Sequence, residues 1–251
     1  IGGVRCLRSG PGDTTASAPL VVYLHGGGYA LGSPEVAVPI TERLASQVEV
    51  VSVDYRLAPE HPYPAALEDT LAVLDALATG PDAARGVVLA GDSAGANLAL
   101  SAALALTRRA GTDTRPSARL SGLILLSPHL DHRPRHRQDS GDRRDDVDNE
   151  AGRWLSAAYR GIRSIDDPAV SPLLADPEEL GSLPPVLIQV GTIDSTFQDA
   201  VRFARAARTA GCQTTLDVWD GLWHTWHYHR DLPEADAALL EAAQFAIAPG
   251  R

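Results

Sequence analysis

Residues Gly91-Asp92-Ser93-Ala94-Gly95 separate an apolar run, 86–90, from a helix-like run, 96–106. A tight strand-to-helix turn of this kind pushes a serine hydroxyl out beyond a sheet edge, and it needs glycines where strand and helix pass closely. Ser93 is therefore a candidate nucleophile. A hydroxyl is a poor nucleophile at neutral pH and needs a base beside it, which an imidazole with an ordinary pKa of about 6.5 can supply. His224, which comes soonest after the turn at Gly221, is the candidate base, with His227 and His229 close by as competitors. An imidazole in that role needs a buried carboxylate to fix its tautomer and stabilise the imidazolium. Asp194 falls in the first loop residues after Val190-Gly191 and is the candidate, with Asp199, Asp217 and Asp220 as alternatives.

Acyl transfer also needs donors aimed at the oxygen that becomes negative, and backbone N–H groups at a glycine-rich turn supply them without reorganisation. His25-Gly26-Gly27-Gly28 follows the apolar run 21–24. Gly27 and Gly28, with Ala94 from the start of the helix after Ser93, are the expected oxyanion donors. His25, Tyr29 and Trp223 are candidate substrate contacts, and Trp226 is a further aromatic near the site in sequence. His129, His132 and His136 invite a metal reading, but their spacing matches no tight ligand pattern and arginines are interleaved with them. Neither a metal nor a cofactor is expected.

The elements that must hold these groups alternate. Strand-like runs at 20–24, 48–53, 87–90, 122–126, 186–190 and 214–219 are separated by helical patterns at 39–47, 64–78, 94–110, 197–210 and 234–248. In the second helical pattern Leu67, Leu71, Leu74 and Leu77 form an apolar stripe at helical spacing, which is core packing. Alternation predicts an α/β fold with parallel strands and right-handed crossovers. In such sheets ligands gather beyond the carboxyl ends of the strands. Ser93, Asp194 and His224 each follow a predicted strand, so three loops converge on one rim. Between the fourth and fifth strands lies an insertion, approximately 129–183, that could build a small cap. Its opening, 131–148, holds six Asp, five Arg and two His, and reads as a solvated loop.

Composition narrows the function classes. A chain of 251 residues with 44% hydrophobic and 22% charged residues suits one α/β domain. No apolar run approaches the roughly 20 residues of a membrane-spanning helix. A formal net charge of −10 argues against a nucleic-acid partner. Cys6 and Cys212 could in principle pair, but a domain of this size does not depend on disulfides, and they read as unpaired thiols. The chain opens without a signal-peptide pattern, which makes a cytoplasmic location the default expectation. It contains no methionine, so Ile1 is not a translation start and residues are expected to precede it.

Together His25-Gly26-Gly27-Gly28, Asp54-Tyr55-Arg56-Leu57-Ala58-Pro59-Glu60, Gly91-Asp92-Ser93-Ala94-Gly95, Val190-Gly191-Thr192-Ile193-Asp194 and Gly221-Leu222-Trp223-His224 resemble the hormone-sensitive-lipase family of α/β-hydrolases, the family IV esterases. The resemblance implies an α/β-hydrolase fold, with a mostly parallel sheet flanked by helices and a small or partly missing cap. It implies a serine carboxylesterase for short- to medium-chain acyl esters, with Ser93, Asp194 and His224 as triad and Gly27, Gly28 and Ala94 as oxyanion donors. It gives the block from Asp54 to Glu60 a structural role, stiffened by Pro59, Pro62 and Pro64. The partner implied is a small-molecule ester; a homodimer is left open. Two other readings of the scaffold are a lyase, cyclase or dehydratase, and a small-molecule binding protein of the kind that has lost the catalytic histidine. Here His224 is present.

Overall fold

The computed structural model describes residues 1–11, 18–110, 118–134 and 149–250. Among them a sheet of seven strands is formed by β1 (Cys6–Ser9), β2 (Leu20–Leu24), β3 (Glu49–Val53), β4 (Val87–Asp92), β5 (Leu120–Leu126), β6 (Val186–Gly191) and β7 (Thr214–Trp219), in the order β1-β3-β2-β4-β5-β6-β7. β1 pairs antiparallel with β3, and every other pairing is parallel. β1 is absent from the sequence expectation because Cys-Leu-Arg-Ser carries neither an apolar run nor a clean alternation.

The helices are α1 (Val38–Ala45), α2 (Ala65–Thr79), α3 (Ala94–Ala110), α4 (Glu150–Arg160), α5 (Pro177–Gly181), α6 (Phe197–Thr209) and α7 (Pro233–Ile247). They cover both faces of the sheet, and the period of two along each strand decides which residue meets which helix. On β2, Leu20, Val22 and Leu24 join a core with Leu67, Leu71, Leu74 and Leu77 of α2, alanines and leucines of α3, and Phe203 of α6. Val21 and Tyr23 point the other way, to Ile40 and Leu44 of α1 and Leu239, Ala242, Ala243 and Ala246 of α7. β2, β4 and β6 are buried along their whole length. That explains why they read as continuous apolar runs.

Close packing of α3 on β2 requires a glycine at the turn between β4 and α3. A Cβ at Gly95 would overlap the Leu24 carbonyl oxygen. Ser93 itself sits at φ +53°. That left-handed backbone costs a non-glycine residue about 1–2 kcal/mol.

Between β5 and β6 the described residues form α4, a 3₁₀ turn (Pro172–Leu174) and α5. Asn149 caps α4 by accepting the Gly152 N–H at 2.9 Å. Tyr159 of α4 stacks on Tyr29 with ring centroids 3.7 Å apart, which ties this segment to the turn after β2. Most of the charged run, 135–148, and with it His136, lies outside the described residues. Its first residues are not solvated: Asp131 and His132 are buried, and Asp131 is held by Arg133 at 2.8 Å and Arg202 at 3.1 Å. Cys6 and Cys212 are both free. No described helix is long and apolar enough to cross a membrane.

Candidate active site

The carboxyl ends of β2, β4, β6 and β7 bring four loops to one rim. Ser93, at the β4–α3 turn, lies with its Oγ 2.9 Å from His224 Nε2. His224 Nδ1 is 3.0 Å from Asp194 Oδ1. The three groups are thus in one hydrogen-bonded line, although Ser93 and His224 are 131 residues apart in the chain. The same Asp194 oxygen accepts the Thr196 N–H at 2.7 Å and the Thr196 hydroxyl at 2.8 Å. Asp194 is completely buried. Burial alone would raise its carboxyl pKa, but the neighbouring His224 charge and the hydrogen bonds from His224, Ser127 and the Thr196 N–H hold it down to about 2. An ionised acid is what a histidine tautomer with its Nδ1 proton toward Asp194 requires.

The competing side chains are engaged elsewhere. Asp199 accepts the N–H groups of Leu130 and Asp131, at 2.8 and 3.2 Å. Asp220 accepts the Thr192 hydroxyl, and Asp217 lies within β7. His227 is buried with its Nε2 3.3 Å from Gln189 Oε1, and burial pushes its pKa down to about 3. His229 is on the surface against Trp223.

Ser93, Ala94 and His224 open into a cavity of about 730 Å³ that is also lined by Gly27, Gly28 and Tyr29. Gly28 has φ +61°, and a Cβ there would come within 2.7 Å of Leu155 Cδ1 on α4. The rest of the wall is mixed: Leu31, Val36 and Leu155 are apolar, whereas His129, His132 and Ser156 are polar. His132 Nδ1 meets Ser156 Oγ at 2.6 Å, and the His129 and His132 rings meet edge to face. Among the described residues, no group of three or more His, Cys, Asp or Glu side chains is arranged to hold a metal ion.

Two of the expected substrate contacts lie elsewhere. His25 does not line the cavity. It is buried beneath the turn, stacked on Tyr55 at 4.3 Å, with its Nδ1 2.7 Å from the Gly26 carbonyl and the Tyr55 hydroxyl donating to its own carbonyl at 2.6 Å. His25 thus braces the glycine turn from below, and burial lowers its pKa. Trp223 packs with Trp219 and Leu232 around Leu222, Trp226, Ala235 and Ala238. Trp226 is likewise core. Tyr29 alone of the aromatic candidates faces the cavity.

Two polar groups beside the site escaped the sequence reading. Asp92 ends β4 with its carboxylate fully engaged by Tyr23, Gly26 and Tyr228. Ser127, just past β5 and buried, accepts the Thr225 N–H at 3.0 Å. The signal for Asp92 was available: an acid inside a buried glycine-flanked turn needs donors.

A family model for the alpha/beta hydrolase fold matches residues 21–228 of this chain. An esterase of Acinetobacter venetianus is 35% identical over 241 residues, covering 92% of this chain and 75% of the relative. An acetyl-hydrolase of Streptomyces hygroscopicus is 37% identical over 230 residues, covering 90% of this chain and 74% of the relative. Among solved structures, a hormone-sensitive lipase from a metagenome library superposes with a TM-score of 0.87 at 32% identity, covering 99% of this chain and 82% of that one. The chain belongs to the α/β-hydrolase fold family and, within it, to the hormone-sensitive-lipase-like family IV esterases. It is accordingly an enzyme of the hydrolase class.

Proposed function

We propose that this enzyme is a serine carboxylesterase that cleaves short- to medium-chain acyl esters of small molecules through an acyl-enzyme. The observation that carries this reading is the continuous line from Ser93 Oγ through His224 to Asp194, opening into the cavity. His224 Nε2 takes the Ser93 proton as the oxygen attacks the ester carbonyl. The carbonyl oxygen becomes an oxyanion held by the N–H groups of Gly27, Gly28 and Ala94. Asp194 stabilises the imidazolium without taking its proton. His224 then gives that proton to the departing alcohol as the ester C–O bond breaks. Water repeats the sequence on the acyl-enzyme, releasing the acid and restoring Ser93.

Replacing Ser93 with Ala tests the reading with p-nitrophenyl butyrate as substrate. Turnover should fall on the order of 10⁶-fold; near-normal hydrolysis by the variant would rule the mechanism out. A fluorophosphonate should label the wild-type serine. Labelling of Ser93 without ester turnover on any acyl chain would instead favour non-hydrolytic chemistry on the same scaffold. A series of p-nitrophenyl esters from acetate to palmitate should peak at the short to medium chains, and a maximum at palmitate would contradict that part of the reading.

A further inference from the structure

We propose that Asp92 is a positioning residue for the esterase reaction, a single buried carboxylate that holds the oxyanion turn and the His224-bearing loop in place on either side of Ser93. This inference rests on the serine-esterase reading above and adds to it a group that borders the cavity beside Ser93 and acts through the groups its oxygens hold.

Three donors converge on Asp92 from two separate parts of the chain, the end of β2 with its following turn and the segment after His224. Oδ1 accepts the Tyr23 hydroxyl at 2.6 Å and the Gly26 N–H at 2.9 Å, and Oδ2 accepts the Tyr228 hydroxyl at 3.1 Å. Tyr23 belongs to β2, Gly26 opens the turn that carries Gly27 and Gly28, and Tyr228 comes four residues after His224. Asp92 itself is bonded through its own backbone to Ser93. One side chain thus connects the nucleophile, the oxyanion donors and the base.

The first glycine of the turn has an explanation in the same contact. A Cβ at Gly26 would overlap Asp92 Oδ2. Gly26 therefore lacks a side chain because the carboxylate must approach its backbone closely, whereas a Cβ at Gly28 would meet Leu155. Fixing the Gly26 N–H fixes the peptide plane one step before Gly27, and a tilt there would swing the Gly27 and Gly28 donors off the oxyanion.

A buried carboxylate is a costly way to fill space unless its oxygens are bonded. Burial pushes the Asp92 carboxyl above its ordinary range, against the Tyr23 hydroxyl, the charge of His25, the Gly26 N–H and the Tyr228 hydroxyl. An apolar side chain would pack β4 against its neighbours equally well. It could not hold the Gly26 N–H and the hydroxyls of Tyr23 and Tyr228 at set positions.

The test compares D92A, D92N and Y228F with wild type on p-nitrophenyl butyrate, well below each variant's Tm. D92N is isosteric: its carbonyl can accept from Gly26 and Tyr23 while its NH₂ donates to the Tyr228 oxygen. A positioning role predicts that D92A loses about 100-fold in kcat with KM within about 3-fold of wild type. D92N should recover kcat to within about 10-fold of wild type and Y228F should lose about 5-fold, both with KM held. Affinity for a trifluoromethyl ketone, which forms the tetrahedral adduct on Ser93, should fall in parallel with kcat, while affinity for butyramide stays unchanged.

If D92A lowers only Tm and keeps kcat and ketone affinity, the residue is structural and the proposal fails. Should D92A not fold, Y228F and D92N decide: full kcat in Y228F, or a D92N as impaired as S93A, overturns it. Activity in S93A would sink the esterase reading itself. An inactive S93A beside fully active Asp92 and Tyr228 variants would sink this inference alone.

Discussion

The His224 ring is steered by contacts on its own loop as much as by its two partners. Thr225, the next residue, sits in the left-handed region at φ +53°, and so does Ser127 at φ +44°, whose hydroxyl takes the Thr225 N–H. Two unfavourable backbone positions therefore meet in one hydrogen bond, and S127A would leave a half-buried N–H unpaired. That loss costs about 1–3 kcal/mol. We expect S127A to lower Tm and to reduce kcat on p-nitrophenyl butyrate several-fold; a variant with wild-type kcat would show that the loop is held without it. D194N should be far more severe, about 10⁴-fold in kcat with the protein still folded, because the amide favours the wrong imidazole tautomer. Single-turnover acylation would read that loss directly, and an unimpaired rate would remove Asp194 from the mechanism. Ser93, His224 and Asp194 could be read from the sequence because each follows a strand at a turn of recognisable composition. Ser127 could not, since its partner lies 98 residues away and a serine after an apolar strand carries no local mark.

At the scale of elements, the site depends on how closely α3 approaches β2. Replacing Gly95 with Ala would drive a Cβ into the Leu24 carbonyl, and backbone, unlike a side chain, cannot turn away. We expect G95A to lose more than about 3 kcal/mol of stability, measured by urea unfolding, or to fail to accumulate as folded protein. A G95A enzyme with wild-type stability would mean that β2 and α3 can part without penalty. Among β2 to β7, all legible to within about two residues, β2, β4 and β6 owe this to burial along their whole length, whereas β7 is only half-buried and reads through its β-branched and aromatic side chains. β1 was not legible, being short, charged and at the sheet edge. α4 was also missed as a helix, since Gly152, Arg153 and an exposed Trp154 blur its apolar face. Its cap residue Asn149 was the available signal. His25 illustrates the opposite error: the residue type invited a ligand role, but which side of a turn a side chain takes is decided by a tertiary neighbour, here Tyr55.

For the whole molecule, acidity should act on stability through buried imidazoles. His227 is pushed down to about 3 and His25 is also lowered, chiefly because burial disfavours the charged form. Their unfolded pKa is about 6.5, so below that pH the unfolded chain binds protons that the native chain refuses. Stability from these groups is complete above about pH 6.5 and is lost as pH falls toward the folded value. Asp194, with its depressed pKa, contributes only nearer the bottom of that range, and Asp92, raised by burial, acts with the opposite sign just above its ordinary value. H227Q isolates the imidazole: between pH 4 and 6 its stability should be flatter than wild type by close to one proton, about 1.4 kcal/mol per pH unit. Parallel curves in urea titrations at each pH would show that His227 charges freely in the native state. The long chain separation between Ser93 and His224 has a further consequence during synthesis. On the proposed mechanism the hydroxyl emerges from the ribosome before its base, and every product that stalls between the two carries an unarmed serine. Newborn chains are thereby kept from attacking the esters around them until the histidine has followed.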